Sequence, residues 1–531
     1  MTDRSPTPQP APSELVAVLD MGASAVRLVV AEVLPNRTIH TIEEASRGNR
    51  LGRDTFSSGV IHARTIEAVV SAVENFRRIM DGYGTLRVRA VATSAVREAK
   101  NADVFLDRVQ QRTGIAFEII NEAEESRLVL LAAEQLLGRR TEFRSAWTLL
   151  TEVGGGGTSV MLLNQGEPNR SAVYALGSVR LRQALDLRRH THDVQLALLK
   201  RSITNVIEEI RRDIPLRRVR HMVALGGDVR FAAARLLESG LAAAHQPAGE
   251  DVREIPRDAF LEFCTQIERM NEDQLIETFQ LPGVEAETLL PALLVYRTLL
   301  AETAARRIVV SNASLRTGLL LDLAEPDSRL KADGFERQVL ASADALGHKH
   351  RFDRAHGQHV ELLAAQLFDL LRNEHGLGDR ERLLLRVASL LHDIGIYVSL
   401  RAHHKHSQYL LAASQIFGLT DEETAMVANI ARYHRRGLPQ TSHPLYAALD
   451  RRERLIVDKL AAILRLANAL DAEHLQKVQA IRLVRTNGSW ILELEGEGDL
   501  TMEQLAATAR SDMFVNTYVH NLVIRIATER S

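Results

Sequence analysis

The chain has 531 residues, more than one hydrophobic core usually organises, so we expect three or four domains. Its formal net charge of −2 gives no global electrostatic reason to expect a nucleic-acid partner. The single cysteine, Cys264, excludes an internal disulfide, and no apolar run approaches the ~18 residues that predict a membrane span. We therefore expect a cytoplasmic protein with no membrane partner. Proline-rich residues 1–13 are predicted to form a disordered tail.

The first predicted element is a β-hairpin over residues 15–30. An apolar strand runs to Asp20, a turn contains Ser24, and a second apolar strand follows. A third strand is predicted at residues 38–47. Apolar residues at helical spacing then predict a long amphipathic helix over residues 61–83.

The next two elements carry candidate site residues. Residues 88–97 are predicted to form a buried strand that runs into a hydroxyl-rich turn. Arg97 would then lie at the carboxyl end of the strand, where α/β sheets hold their ligands. An arginine there can bind a phosphate bidentately, although a surface ion pair explains it equally well. A helix is predicted to begin after Asn121, whose side chain caps it, with Glu124 reaching back as in a capping box. Glu125 lies ~100° further round and is free for chemistry, although helix-dipole stabilisation also explains it.

A glycine run at the centre of the first half predicts a second hairpin, over residues 148–163. An apolar run leads to Glu152, and Thr158 begins the returning strand. Glycine permits positive φ and lets backbone N–H groups approach an anion, so we interpret this turn as a phosphate cradle. The alternative is a plain hairpin turn. The run comprises Gly154, Gly155, Gly156 and Gly157.

This second hairpin resembles the one at residues 15–30. Two copies of strand, carboxylate, glycine turn and strand suggest a duplicated α/β domain whose hairpins face one cleft. A third glycine turn, Gly226-Gly227, follows a predicted strand and begins a helix. Its N–H groups are also expected to point at an anion.

The ordered motifs resemble the exopolyphosphatase and guanosine pentaphosphate phosphohydrolase family. They lie at residues 20–22, 92–99, 121–128, 152–158 and 310–320. The resemblance implies an α/β actin-like ATPase fold, of the sugar-kinase and heat-shock type, duplicated over residues 14–135 and 136–325. It also implies a homodimer, and metal-dependent release of terminal phosphate from polyphosphate or guanosine pentaphosphate.

The resemblance assigns roles by position in these motifs. Glu125 corresponds to the catalytic base and Arg97 to a phosphate-binding arginine, while Asp20 and Glu152 are assigned to Mg²⁺, Glu152 also having a catalytic role. Phosphoryl transfer needs positioning and charge neutralisation, which these residue types supply. The remaining phosphate contacts are assigned to Ser24, Gly154, Gly155, Gly156, Gly157, Thr158, Gly226 and Gly227.

Several positions depart from the family pattern. Glu152 replaces a usual aspartate, Ser159 a usual glutamate, and Asp228 a usual threonine or serine. The first turn reads Gly22-Ala23-Ser24-Ala25, whereas the family carries Gly-Ser-Asn-Ser. Two hypotheses therefore stay open. The protein is either a phosphohydrolase, or a binding or sensing module that holds polyphosphate or a nucleotide without turnover.

Residues 335–478 are predicted to form an all-α domain that resembles the HD superfamily of metal-dependent phosphohydrolases. His356 is preferred to His359 because it precedes Val360 by four residues, as in the superfamily pattern. Nitrogen and carboxylate ligands suit Mn²⁺ or another divalent transition metal. The domain is either a second phosphohydrolase site or a scaffold without metal. The ligands implied by the resemblance are His356, His392, Asp393, His406, His434 and Asp471.

Residues 479–531 are predicted to form a small α+β cap. Alternating apolar residues flank a turn at Asn487-Gly488, which indicates a hairpin. A helix near residues 502–509 and a strand near residues 522–526 complete it.

Overall fold

The computed structural model divides the chain into two compact units, the first ending at Arg329 and the second beginning at Leu330. The predicted tail over residues 1–13, apart from Ser13, and the predicted turn at Asn487-Gly488 lie outside the described residues. None of the helices that the structure describes has the length and apolar character needed to cross a membrane. The described residues are 13–36, 38–84, 86–139, 141–240, 252–324, 329–414, 416–435, 437–485 and 489–527.

The first unit begins with a five-stranded sheet. Its strands are β1 Glu14–Met21, β2 Ala25–Val33, β3 Ile39–Gly48, β4 Arg87–Ala92 and β5 Glu118–Ile119. Their spatial order is β3-β2-β1-β4-β5, with β1, β2 and β3 antiparallel and β4 parallel to β1. The hairpin predicted at residues 15–30 is thereby confirmed.

A second sheet repeats the start of this topology. Its strands are β6 Thr148–Val153, β7 Thr158–Asn164, β8 Glu167–Tyr174, β9 His221–Leu225, β10 Val252–Pro256 and β11 Arg307–Ser311. Their spatial order is β10-β11-β9-β6-β7-β8. Strands β6, β7 and β8 are antiparallel, and β9 is parallel to β6, as β4 is to β1. This repetition agrees with the predicted duplication of an α/β domain.

The repeat places two carboxylates equivalently. Strand β1 ends one residue after Asp20, and β6 ends one residue after Glu152. In the ladders, Asp20 faces Arg27 and Glu152 faces Ser159. Because side chains alternate along a strand, equal register puts both carboxylates at the same corner of their sheets.

Helices cover these two sheets. Apolar residues spaced three and four apart on α2 bury Val69, Val73 and Phe76 in the core of the first sheet, as the sequence predicted. The helices of this unit are α1 Leu51–Ser58, α2 Ala63–Asp81, α3 Ser94–Arg97, α4 Ala102–Thr113, α5 Glu122–Arg139, α6 Thr141–Ser145, α7 Ser178–Ala184, α8 His192–Asp213, α9 Gly227–Glu238, α10 Arg257–Glu268, α11 Glu272–Phe279, α12 Gly283–Glu302 and α13 Leu315–Ala324.

The strand and following turn predicted over residues 88–97 are present, but the place predicted for Arg97, at the carboxyl end of the strand, is wrong. Strand β4 ends at Ala92, and the chain turns at once into α3. The carbonyl of Thr93 accepts hydrogen bonds from the N–H groups of Val96 and Arg97, so a helical turn replaces the end of the strand. Arg97 therefore lies one turn beyond the sheet edge.

The second unit is mainly helical. A 3₁₀ turn at Ile394–Tyr397 separates α17 from α18. Asp353 caps α15 by accepting a hydrogen bond from the N–H of His356. The helices are α14 Arg329–Lys349, α15 Arg354–Leu370, α16 Arg372–His375, α17 Asp379–Leu391, α18 His403–Ala412, α19 Asp421–Arg432, α20 Pro444–Ala447, α21 Arg451–Ala469, α22 Thr501–Ala509 and α23 Asp512–Tyr518.

A small sheet follows the helices, as the sequence predicted. Strands β12 Val478–Arg485 and β13 Ser489–Gly496 are antiparallel, and β14 Asn521–Ile526 pairs with β13 in parallel. Helix α22 matches the predicted helix. Helix α23 was not predicted, and its Met513, Phe514 and Tyr518 are buried.

Candidate functional site

The turns after β1, β6 and β9 line one cleft in the first unit, together with the first turn of α5. The volume of the cleft is about 890 Å³. It brings together most of the residues predicted for this site from separate parts of the sequence. The predicted residues that line it are Asp20, Ser24, Arg97, Glu125, Glu152, Gly154, Gly155, Gly156, Gly157, Gly226 and Gly227.

Thr158 does not fit the predicted role. Its hydroxyl donates a hydrogen bond to the carbonyl of Leu176 at 2.6 Å, and the residue is fully buried. Because side chains alternate along β7, it is Ser159 that faces the cleft. The Thr158 hydroxyl is thus committed to the fold and is not available to a phosphate.

The glycine run owes its composition to close packing. A Cβ on Gly155 would lie 2.9 Å from the Cβ of Ala23, and one on Gly156 would lie 2.1 Å from Oγ of Ser94. None of the four glycines of this described turn has φ in the left-handed region, so the expected use of positive φ is wrong here. Glycine instead allows the turns of the two hairpins to pack on one another and form the floor of the cleft.

Gly226, by contrast, has a φ of +114°. A Cβ there would lie 3.0 Å from Oη of Tyr296 and 4.0 Å from Cγ of Glu152. The Tyr296 hydroxyl accepts a hydrogen bond from the N–H of Val153 at 2.8 Å and donates one to the carbonyl of Leu225. Tyr296 thus joins the ends of β6 and β9 and holds the third glycine turn against Glu152.

Asp20 lies between two arginines that the sequence did not assign. Its Oδ2 is 3.2 Å from Nη1 of Arg316 and 3.6 Å from Nη1 of Arg27, and only 6% of the residue is exposed. The contact with Arg27 could have been predicted from the sequence, because Arg27 is the ladder partner of Asp20 in the predicted hairpin. Arg316 lies within the closing motif at residues 310–320, whose side-chain directions the sequence does not show.

Glu152 faces the same cleft, but unlike Asp20 it has no arginine as its ladder partner. Burial raises the pKa of its carboxyl, while Arg230, Arg316 and Arg27 oppose that rise. Its ladder partner Ser159 carries no charge. The end of this ladder therefore carries one carboxylate, opposite an uncharged hydroxyl.

Glu125 lies on the first turn of α5, and Oε2 is 3.9 Å from Nη1 of Arg97. Burial raises the pKa of Glu125 to about 7, with Arg97 lowering it and Glu152 and Asp20 raising it further. The side chain of Glu125 is 34% exposed and lines the cleft, whose walls limit the water that reaches the carboxyl. A carboxyl that ionises near neutral pH suits a general base.

Local contacts fix this part of α5. Asn121 Oδ1 accepts a hydrogen bond from the N–H of Glu124 at 2.9 Å, which confirms the predicted cap. Glu124 does not complete a capping box, because its carboxylate binds Arg127 and Arg89 instead. Those contacts turn Glu124 away and leave Glu125 at the cleft.

Asp20 and Glu152 fit the predicted Mg²⁺ site. Mg²⁺ in phosphoryl-transfer enzymes is usually bound by one or two protein carboxylates, with substrate phosphates and water completing the shell. Two carboxylates at equivalent strand ends supply that many protein ligands. When bound, Mg²⁺ neutralises charge on phosphate oxygens.

A second group of candidate ligands, the histidine cluster, lies in the second unit. Nε2 of His356 is 3.3 Å from Nε2 of His392, and Nε2 of His403 is 3.2 Å from Nε2 of His434. Asp393 Oδ1 is 3.1 Å from Nε2 of His403 and 3.3 Å from Nε2 of His434. Donor atoms that share one ion at about 2.1 Å lie roughly 3.0–3.4 Å from each other, so these spacings fit a metal.

The imidazole rings of the histidine cluster are oriented to bind a metal through Nε2. In His392, His403 and His434, Nδ1 lies 2.6–3.1 Å from a backbone carbonyl, so Nδ1–H donates there and the Nε2 lone pair faces the centre. Helix α17 ends at Leu391, just before His392, and the 3₁₀ turn follows Asp393, which supplies the predicted bend. Two described groups could hold an ion: Asp393 with His403 and His434, and Asp393 with His356 and His474. The predicted ligand His392 belongs to neither group, although its Nε2 is 3.3 Å from that of His356.

Two predicted ligands are corrected. His406 belongs to neither group, because α18 begins at His403 and His406 lies one turn further along it. Asp471 also belongs to neither group, because its carboxylate accepts hydrogen bonds from Nδ1 of His356 and N–H of Gln476, both at 2.8 Å. Asp471 thus orients His356.

Two family models match the chain, one within each compact unit. Residues 29–326 match the Ppx/GppA phosphatase family, and residues 339–508 match Ppx/GppA phosphatase, domain III. The chain is 22% identical over 462 residues to guanosine-5'-triphosphate,3'-diphosphate pyrophosphatase of Pseudoalteromonas atlantica, covering 87% of both. It is 27% identical over 323 residues to exopolyphosphatase 2 of Mycobacterium tuberculosis, covering 58% of this chain and 98% of that relative.

A solved structure shows the shared fold. The crystal structure of an exopolyphosphatase from Cytophaga hutchinsonii matches with a TM-score of 0.53 at 19% identity, covering 59% of this chain and 99% of the other. The family match itself spans more than half of the chain. This chain therefore belongs to the Ppx/GppA phosphatase family, a family of phosphoric anhydride hydrolases.

Proposed function

We propose that the first unit releases terminal phosphate from inorganic polyphosphate or guanosine pentaphosphate in the presence of Mg²⁺. The observation that carries this proposal is the position of Glu125, a carboxyl with a pKa of about 7 beside Arg97 in the glycine-lined cleft. The relatives named exopolyphosphatase 2 and guanosine-5'-triphosphate,3'-diphosphate pyrophosphatase support the substrate class.

The chemistry requires a base, cations and a closed site. The Glu125 carboxylate accepts a proton from water while the water oxygen forms a bond to the terminal phosphorus. The bridging P–O bond breaks, and its electron pair goes to the oxygen of the shortened chain. Arg97, Arg27 and Arg316 stabilise the charge on the transferred phosphoryl group. Mg²⁺, held by Asp20 and Glu152, adds charge neutralisation when bound.

The test compares two glutamates of the same region. Glu125→Gln should lower kcat for phosphate release by about 10²–10⁴-fold, because the base is lost while size and shape are retained. Glu118→Gln alters an exposed carboxyl on β5 and should leave kcat unchanged. Equal rates for both variants, or no release by the unmodified protein from either substrate, would contradict the proposal.

A second candidate function is metal binding in the second unit. The observation that favours it is the approach of four imidazole Nε2 atoms and Asp393, with three rings held by backbone carbonyls. Mn²⁺ or another divalent transition metal suits these ligands and supports phosphoester hydrolysis in HD-type sites. The resemblance to that superfamily stays a prediction, and a scaffold without metal is its alternative.

Metal analysis separates these alternatives. After loading with Mn²⁺ and desalting, the unmodified protein and His406→Ala should retain the same amount of metal. His403→Ala should retain less, because it removes a ligand from one of the two groups. His403 and His406 belong to the same helix, so they form a matched pair. An empty unmodified protein, or equal metal content in both variants, would reduce the histidine cluster to a scaffold.

Binding without turnover is the alternative for the first unit. The register that sets uncharged Ser159 opposite Glu152 favours it, since the glutamate that the resemblance implies at position 159 would add a carboxylate to Asp20 and Glu152. Calorimetry that shows polyphosphate or nucleotide binding by a protein with no phosphate release would support it. The homodimer and the cytoplasmic location stay predictions, the first of which sedimentation velocity tests.

A further inference from the structure

One end of the cleft in the first unit differs from the part near Glu125. Asp228 and Phe231 project from the first turns of α9, and being three residues apart they share a helix face. Glu285 and Thr288 come from the first turns of α12. Thr288 Oγ1 lies 3.3 Å from Oδ1 of Asp228 and so joins the two helices. We name this end the α9–α12 shelf.

The α9–α12 shelf is poorly suited to a phosphate group. Two carboxylates, Asp228 and Glu285, line it and would repel an anion. Apolar side chains line it as well, namely Phe231, Leu281, Pro282 and Val284, of which Val284 is 44% exposed. Apolar walls beside a carboxylate acceptor are instead the surroundings that bind a heteroaromatic ring carrying N–H donors.

Asp228 has acceptor capacity to offer such a ring. A carboxylate accepts about four hydrogen bonds, and within the described chain Thr288 and the backbone N–H of Asp228 itself are its partners. Burial raises the pKa of Asp228 to about 6, so the group is ionised at pH 7.5. Its desolvated charge strengthens a hydrogen bond from a ligand.

The shelf is close to the catalytic corner. A Cβ on Gly226 would lie 4.0 Å from Cγ of Glu152, and Asp228 follows two residues later. Between them, a Cβ on Gly227 would meet no atom within 4 Å, so no neighbouring group crowds the cleft at this glycine. A phosphate chain over the glycine turns can therefore continue into a base on the shelf.

We propose that Asp228 binds the base of a guanosine polyphosphate and so makes this cleft select that substrate over inorganic polyphosphate. Guanine presents two adjacent donors, N1–H and the N2 amino group, which match the two oxygens of one carboxylate. Adenine has an acceptor at N1, and inorganic polyphosphate has no base at all. The proposal rests on the proposed function and names its substrate class.

Equilibrium binding tests this selection without requiring turnover. Calorimetry with Mg²⁺ on the Glu125→Gln background compares GTP, ATP, xanthosine triphosphate and inorganic tripolyphosphate. The background with native Asp228 should bind GTP roughly 10–100-fold more tightly than ATP, the range of one bidentate base contact. Adding Asp228→Asn should remove that preference and favour xanthosine triphosphate, whose O2 accepts from the amide. It should not weaken tripolyphosphate binding, because the variant removes a charge that repels anions.

The matched control is Asp273→Asn, an exposed aspartate on α11 that should change none of these affinities. Equal affinity for GTP and ATP, no GTP binding, or a GTP preference that survives Asp228→Asn would overturn the proposal. Failure of the proposed function is a separate result, because it shows as absent phosphate release by the unmodified protein whatever the nucleotide preference.

Discussion

Neutralising Arg97 should move the acidic limb of the pH–rate profile for phosphate release to higher pH. Arg97 Nη1 lies 3.9 Å from the Glu125 carboxylate and favours its ionised form. Arg97→Met therefore raises the pKa of Glu125. Glu122 acts with the opposite sign, since its charge raises that pKa, so Glu122→Gln should move the limb to lower pH.

The magnitude follows from the pKa of about 7 for Glu125. Below that pH, kcat/KM should fall about tenfold per pH unit, so that about 1% of the base is ionised at pH 5. A base with the ordinary pKa would still be mostly ionised there. An opposite charge within 4–6 Å lowers a carboxyl pKa by about 1–3, and the partly exposed pair favours the lower figure. We expect a rise of about one pH unit for Arg97→Met and a smaller fall for Glu122→Gln.

The assay measures initial rates of phosphate release from tripolyphosphate between pH 5 and 9 at saturating Mg²⁺. Arg97→Met also loses a substrate contact, so the midpoint of the limb is the readout and the absolute rate is not. In the unmodified protein, a rate that stays nearly constant down to pH 5 would refute burial of the base. If Arg97→Met and Glu122→Gln shift this midpoint in the same direction, the opposite effects assigned to the two charges are refuted.

Three further predictions concern other contacts. Ser159→Glu restores a carboxylate opposite Glu152, and Mg²⁺ activation should then require roughly tenfold less metal, as a titration of rate would show. Tyr296→Phe leaves the buried N–H of Val153 without its partner and should cost about 1–3 kcal/mol in urea unfolding. Tyr83→Phe should cost less, because the hydroxyl of this partly exposed residue donates to Glu43 and its loss leaves no buried N–H unpaired. Burial lowers the pKa of His392 and His434, so neutral ligands persist as pH falls, and Mn²⁺ bound at pH 7 should be retained at pH 6.

Local sequence patterns predicted the parts of the cleft that depend on neighbours in the chain. Alternating apolar runs around glycine predicted both hairpins, and Asn121 predicted the start of α5. The position of Glu125 on that first turn followed from helical geometry alone. Asp20 and Glu152 at equivalent strand ends followed from the repeat.

Side-chain directions that depend on tertiary contacts were not predictable in this way. Arg316 reaches Asp20 from a helix almost 300 residues later, and nothing local indicates that contact. From the sequence alone, the glycine run predicts positive φ. Its actual cause, the close approach of Ala23 and Ser94, depends on tertiary contacts. His403 is a candidate ligand and the predicted His406 is not, because the 3₁₀ turn after Asp393 sets where α18 begins. Helix boundaries are poorly defined by sequence, so this position could not be predicted.

The most direct measurement of the central claim is phosphate release in ¹⁸O-labelled water. Purified protein with Mg²⁺ is incubated with tripolyphosphate or guanosine pentaphosphate, and the products are analysed by mass spectrometry. Attack of water on the terminal phosphorus predicts one ¹⁸O atom in each released phosphate and none in the shortened chain, with Glu125→Gln abolishing both release and label. No released phosphate, or label in the shortened chain, would contradict the account.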